Sequence, residues 1–210
     1  MIIDFLGDSI TEGAGASSMD NCFVSQTGKL LNAKANNYGI SGTRIARQKG
    51  VTQPHIFDMH FPSRMDFLDR NADVIVVMGG TNDFGHGNAD FGEMSDYTTD
   101  TFCGAFNVLT NGLMRTYGRK KLLFVLPLHR FTEDDKNPVT GKILKDYVDA
   151  EREILKNKGI KYLDLFCDEQ LPKPEKAGQS EFFADGLHPN DKGHRLLAEK
   201  VADFIRKEYL

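Results

Sequence analysis

Short, wholly apolar runs alternate along the chain with longer stretches in which apolar residues recur at helical spacing. The runs are Ile2–Leu6, a weaker one ending near Tyr38, Val74–Met78, Leu122–Leu126 and Ile160–Leu165. Val74-Ile75-Val76-Val77-Met78 is β-branched and apolar at consecutive positions, the pattern of a strand covered on both faces in a parallel sheet, so it is predicted to be central. Tyr147, Ile154 and Leu155 recur within a segment otherwise rich in Lys, Asp and Glu. Leu196, Leu197, Val201, Phe204 and Ile205 fall on one face of a final helix, with Glu199, Lys200, Arg206 and Lys207 elsewhere. Five strands alternating with helices predict a doubly wound α/β sandwich, whose ligands bind beyond the carboxyl ends of the strands. Phe84–Tyr97 and Arg130–Gly141 lack apolar periodicity, and connections of that length are often binding loops.

Composition narrows the class. A chain of 210 residues without internal repeats or a linker fits one domain, 1–210, able to bury a sizeable core. With 40% hydrophobic and 27% charged residues it reads as an ordinary soluble globular protein, with no membrane insertion expected. A formal net charge of -4 and the absence of a basic run argue against a nucleic-acid partner. Cys22, Cys103 and Cys167 are widely separated and lack ligand spacing, so three buried free thiols are expected, with no disulfide framework, metal or cofactor. The start, Met1-Ile2-Ile3-Asp4-Phe5, has no basic region followed by a long apolar one, so the expected location is cytoplasmic unless a cleaved leader preceded it.

Candidate chemistry gathers at the predicted strand ends. The first strand runs into Gly7-Asp8-Ser9-Ile10-Thr11, which puts a serine hydroxyl where it can face a cleft at the sheet edge. Serine is a poor nucleophile until a base takes its proton. Asp185-Gly186-Leu187-His188 offers a carboxylate three residues from an imidazole, in a turn-rich stretch just before the last helix. His55, His60, His86, His129 and His194 are alternative bases without so well placed an acid, and His194 is expected to be exposed on the final helix. Donors to a developing oxyanion could come from Gly39-Ile40-Ser41-Gly42-Thr43, where either glycine could serve, and from Asn82 in Gly79-Gly80-Thr81-Asn82-Asp83. Each motif alone is an ordinary turn. Together they supply nucleophile, base, orienting acid and oxyanion donors.

These blocks resemble those of the SGNH, or GDSL, hydrolase family: Gly7-Asp8-Ser9, Gly42 after the second strand, Gly80-Thr81-Asn82-Asp83, and Asp185-Gly186-Leu187-His188. The resemblance covers nearly the whole chain. It implies a flavodoxin-like, three-layer α/β/α sandwich on a five-stranded parallel sheet, with Ser9 as nucleophile, His188 as base and then acid, and Asp185 orienting His188. It also implies an oxyanion hole from the Ser9 and Gly42 N–H groups and the Asn82 amide, and it is the family pattern that selects Gly42. The substrate would be a small-molecule carboxylic ester. The polar, glycine-rich loops favour short acyl groups, often acetyl, on a sugar-like or other polar alcohol, with His86 and Arg130 as candidate substrate-binding residues and Asp134 a further polar group. Lysophospholipase or thioesterase activity within the family, and a noncatalytic sugar- or lipid-binding protein, are the competing readings. The absence of G-x-S-x-G speaks against an α/β-hydrolase elbow, and the absence of G-x-G-x-x-G and G-K-[ST] against a nucleotide binder.

Overall fold

The structure, a computed structural model, describes residues 1–51 and 54–210. In chain order the elements are β1 (Ile2–Gly7), α1 (Ser9–Glu12), α2 (Phe23–Leu31), β2 (Lys34–Gly39), α3 (Phe61–Arg64) and β3 (Val74–Met78), then α4 (Thr81–His86), α5 (Phe102–Tyr117), β4 (Leu122–Val125), α6 (Leu144–Lys158), β5 (Lys161–Leu163) and α7 (Asp191–Tyr209). All four strand pairings are parallel, in the order β2-β1-β3-β4-β5. This is the flavodoxin-like order, and its switch point lies where the chain leaves β1 with neighbours on both sides.

Alternation within the strands explains the three layers. Ile75 and Val77 of β3 point into a core closed by α5 and α6, together with Leu6, Leu122 and Phe124. Val74, Val76 and Met78 point the other way, onto α2 and α7, together with Ile3, Phe5, Leu123 and Val125. All five residues of β3 are buried, and each large aliphatic side chain so placed is stabilised by about 1.5–3 kcal/mol relative to exposure. The register pairs Gly7 with both Gly39 and Met78, so the segments leaving β1, β2 and β3 start side by side.

Departures from the sequence reading have local causes. β2 gave a weak apolar signal because it is an edge strand whose asparagines make bonds: Asn36 Nδ2 donates to Asp4 Oδ1 at 2.7 Å and Asn37 Nδ2 to the Thr11 carbonyl at 2.7 Å. Ile160, apolar like a strand residue, instead closes α6, its N–H donating to the Leu155 carbonyl at 3.0 Å. The Phe84–Tyr97 stretch begins inside α4, and Phe84 is buried edge-on against Tyr147 with ring centroids 6.0 Å apart. Cys22 and Cys103 are buried, whereas Cys167 is exposed, so the expectation of three buried thiols is corrected at that position.

His194 is also corrected. It is completely buried, stacked on Phe23 at 6.2 Å, with Nδ1 accepting from the Phe23 N–H at 3.3 Å and Nε2 facing the Ala14 carbonyl at 3.0 Å. The ring ties α7 to the segment following α1. Among the described residues no helix is long and apolar enough to cross a membrane.

Candidate active site

Asp8 caps α1, its carboxylate accepting the Ile10 N–H at 3.0 Å, and Ser9 becomes the first helical residue. The Ser9 N–H therefore belongs to the opening turn of a helix, where amide hydrogens lack intrahelical acceptors. Across the cleft, Asn190 caps α7 by accepting the Gly193 N–H at 3.1 Å, while its Nδ2 reaches the carbonyls of Ser180 and Glu181. These bonds anchor the turn that carries Asp185 and His188. The two ends of the chain are stitched together by Asp191, which accepts from the Ser17 N–H at 2.7 Å and Ser17 Oγ at 2.6 Å. Gly15 makes the approach feasible: its φ is +90°, and a Cβ there would lie 2.2 Å from the Pro189 carbonyl oxygen.

The result is a continuous relay. Ser9 Oγ and His188 Nε2 are 2.9 Å apart, and His188 Nδ1 and Asp185 Oδ2 are 2.7 Å apart. Asp185 Oδ1 also accepts the His188 N–H at 2.7 Å and the Leu187 N–H at 3.0 Å. Burial raises the Asp185 pKa, but bonds from His188 and Leu187 outweigh it and hold the carboxyl below the usual range. With Nδ1–H donated to that carboxylate, Nε2 carries the lone pair and accepts the serine proton. Ser9 itself is only 6% exposed, so its hydroxyl is largely withdrawn from bulk water.

The two proposed donor segments flank Ser9 and are bonded to each other. Asn82 Nδ2 donates to the Thr43 carbonyl at 3.0 Å, joining the turn after β3 to the turn after β2 and leaving the second amide hydrogen available. Gly42 has φ +73°, and a Cβ there would meet the Phe57 ring at 3.2 Å. Asp83 accepts the Ile45 N–H at 2.8 Å and the Ala46 N–H at 2.9 Å. Arg64, wholly buried, donates to the Tyr38 carbonyl at 2.9 Å, the Gly7 carbonyl at 3.0 Å and Thr43 Oγ1 at 3.0 Å. One guanidinium thereby binds the ends of β1 and β2 and the Gly42 turn. Motif reading singled out Ser9, Asp185, His188, Gly42 and Asn82, of which the structure joins the first three in one hydrogen-bonded series; it did not single out Arg64 or the bracing by Asp83.

Beneath this edge lie three buried carboxyls. Burial, partly opposed by backbone bonds, pushes Asp8 up to about 6 and Asp83 up to about 7. Glu151 of α6 is raised well above its ordinary value, by burial first and then by Asp83 and Asp8; among the described residues its Oε1 has no hydrogen-bond partner, and it lies against Gly80. A carboxyl whose pKa is raised on folding stabilises the fold fully below its unfolded pKa, and that contribution is lost as pH rises towards the folded value. Thermal stability should therefore fall from the ordinary carboxyl range upward, by about 1.4 kcal/mol per pH unit for each such group. Glu151→Gln, neutral at every pH, should flatten that slope in melts run from pH 5 to 8. An unchanged slope would show that the Glu151 proton is not linked to folding.

The peripheral candidates divide. Arg130 is half-buried and donates through Nη1 to the Thr81 carbonyl at 3.2 Å, and the Phe131 N–H donates to the Gly186 carbonyl at 2.9 Å, so this loop does border the relay. His86 is exposed at the end of α4; partial desolvation, then the charges of Arg44 and Arg130, hold its imidazole below the usual range. Asp134 is turned out to solvent and paired with Lys173. His129 does have an acid, contrary to the sequence reading: its Nδ1 lies 2.8 Å from Glu133 Oε2. Its ring packs on Phe166 at 4.2 Å, which gives the pair a structural role in the loop. Among the described residues no cluster of three or more His, Cys, Asp or Glu side chains is arranged to hold a metal ion.

A doubly wound parallel sheet with a serine, an imidazole and a carboxylate in series at its carboxyl edge has the architecture of a hydrolase. The sequence matches the profile of the GDSL-like lipase/acylhydrolase family over residues 5–196, and the chain belongs to that family of ester hydrolases. A GDSL lipase of Mycobacterium tuberculosis is 26% identical over 97% of this chain and 80% of its own. A solved structure from Lactobacillus plantarum is 26% identical with a TM-score of 0.80, covering 99% of this chain and 97% of that one. An acetyl xylan esterase shares the fold at 20% identity, TM-score 0.68, covering 98% of this chain and all of that one.

Proposed function

We propose that the protein is a serine esterase that cleaves carboxylic esters through an acyl-Ser9 intermediate, with short acyl groups such as acetyl on a sugar-like or other polar alcohol. The observation that carries the reading is the unbroken relay from Ser9 Oγ through His188 to Asp185. Ser9 Oγ attacks the ester carbonyl as its proton passes to His188 Nε2, and the resulting oxyanion accepts from the Ser9 and Gly42 N–H groups and the Asn82 amide. His188 then protonates the departing alkoxide. A water molecule, deprotonated by the same imidazole, attacks the acyl carbon and releases the acid and the free serine.

The reading of a polar alcohol rests on the polar loops of the sequence and on a groove that adjoins the Gly42 turn through Phe57. Phe57, packed on Gly42, belongs to a turn whose neighbours His55, Asp58 and His60, with Arg47, Lys49 and Asp90, line a groove of about 950 Å³. Val51 and Met59 share that wall, so the groove offers apolar contact as well as charged and imidazole partners for hydroxyls. The fold neighbour that acts on acetyl xylan is consistent with this, as a likeness of fold. The test is a series of p-nitrophenyl esters from acetate to dodecanoate alongside acetylated sugars and acyl-CoA thioesters. The reading expects kcat/KM to peak at the shortest acyl chains. Rates that climb with chain length would overturn the short-acyl preference, and no turnover of any ester would favour a noncatalytic binder.

A further inference from the structure

We infer that Arg130 is a recognition point for an anionic group carried by the ester substrate, with Phe84 and Gly85 as the seat that aims its guanidinium into the site. This rests on the esterase reading above. The side chain is held on three sides: Nε donates to Thr132 Oγ1 at 3.2 Å, Nη1 donates to the Thr81 carbonyl at 3.2 Å and Thr81 Oγ1 at 3.3 Å, and the guanidinium lies over the Phe84 ring at 5.3 Å. Gly85 lets it lie flat, since a Cβ there would stand 2.5 Å from Nη1 and 3.3 Å from Nη2. Among the described residues Nη2 has no acceptor, and no ion pair includes Arg130.

A half-buried cation without a counter-charge is costly, and an anion brought by a ligand would offset that cost. Burial lowers the pKa of this guanidinium, and Asp185, Asp8 and Asp135 act on it only from beyond ion-pair range. Asp185 is already committed to His188 and two backbone N–H groups, so it does not neutralise Arg130. The position is specific as well: Thr81, which Arg130 grips, precedes Asn82, and Phe131, which follows it, is bonded to Gly186 in the His188 turn. Arg130 thus connects the segment that carries Asn82 with the loop bonded to the His188 turn, its Nη2 beside Gly85. A planar, fixed fork is suited to a carboxylate, phosphate or sulfate on either the acyl or the alcohol portion.

Matched ester pairs that differ only in charge decide the matter. Mono-4-nitrophenyl adipate against its methyl ester places the anion on the acyl side, and 4-acetoxybenzoate against its methyl ester places it on the alcohol side. Wild type is expected to prefer the anionic member of one pair by about tenfold in kcat/KM, mainly through KM. Arg130→Gln should bring that ratio close to one. Gly85→Ala, which keeps the charge but displaces the guanidinium, should reduce it partway. A wild-type ratio of one or less in both pairs, a ratio that survives Arg130→Gln, or an equal fall for charged and neutral esters would overturn the inference. Turnover without charge preference overturns this inference alone, whereas no turnover of any ester overturns the esterase reading with it.

Discussion

Replacing Ser9 with alanine is expected to lower kcat for p-nitrophenyl acetate by about four orders of magnitude or more, with the melting temperature nearly unchanged. The size of the effect follows from the relay. His188 and Asp185 are already aligned at 2.9 Å and 2.7 Å, so without the hydroxyl nothing remains for the imidazole to activate except water. The fold should tolerate the change because, among the described residues, Ser9 Oγ bonds only His188, while α1 is capped by Asp8 and the two chain ends are joined through Ser17, Asp191 and His194. A wild-type rate in the purified variant would remove Ser9 from the mechanism. His188→Ala should give a loss of similar size, and the double variant should be little worse than either single one, because members of a relay act as a unit.

Asn82→Ala is expected to reduce kcat by about 10²–10³, roughly 3–4 kcal/mol of transition-state stabilisation, with KM changed little. Asn82 is buried, and one amide hydrogen is spent on the Thr43 carbonyl at 3.0 Å, which fixes the direction of the other. A donor held this way costs no reorganisation as charge develops on the carbonyl oxygen. The substitution also leaves the Thr43 carbonyl unpaired, a stability cost of about 1–3 kcal/mol. The melting temperature should therefore fall by several degrees, and the rate must be measured well below the transition. If kcat fell only in proportion to unfolding, or if KM rose while kcat held, Asn82 would be a structural strut or a ground-state contact.

Much of this arrangement is legible in the sequence, for reasons that differ by element. β3 is apolar on both faces because both faces are covered, and Val74–Met78 has the same boundaries in the structure as in the apolar pattern. The site motifs stand at strand ends because the parallel sheet offers its carboxyl edge there. What escaped the reading is mainly polar residues in apolar positions. His194 lies three, four and seven residues before Leu197, Ala198 and Val201, on the buried stripe of α7. Glu151 lies between Tyr147 and Val148 on one side and Ile154 and Leu155 on the other, on the buried stripe of α6. Periodicity marked both positions, and only the polarity of the side chains argued for solvent.

Arg64 and Gly15 were illegible for a different reason. The acceptors of Arg64 are carbonyls and a hydroxyl from three separate segments, and the demand on Gly15 comes from a carbonyl at Pro189, nearly the whole chain away. Neither leaves a local spacing. The pairing of His129 with Glu133 was within reach, since the two stand four residues apart.

Reaction with a fluorophosphonate probe, followed by intact-mass analysis and peptide mapping, tests the activated hydroxyl most directly. The account predicts one adduct per chain, located on Ser9, formed rapidly by the native protein and lost in His188→Ala although Ser9 is still present. An adduct on another residue, no adduct under native conditions, or labelling that persists at full rate without His188 would contradict it.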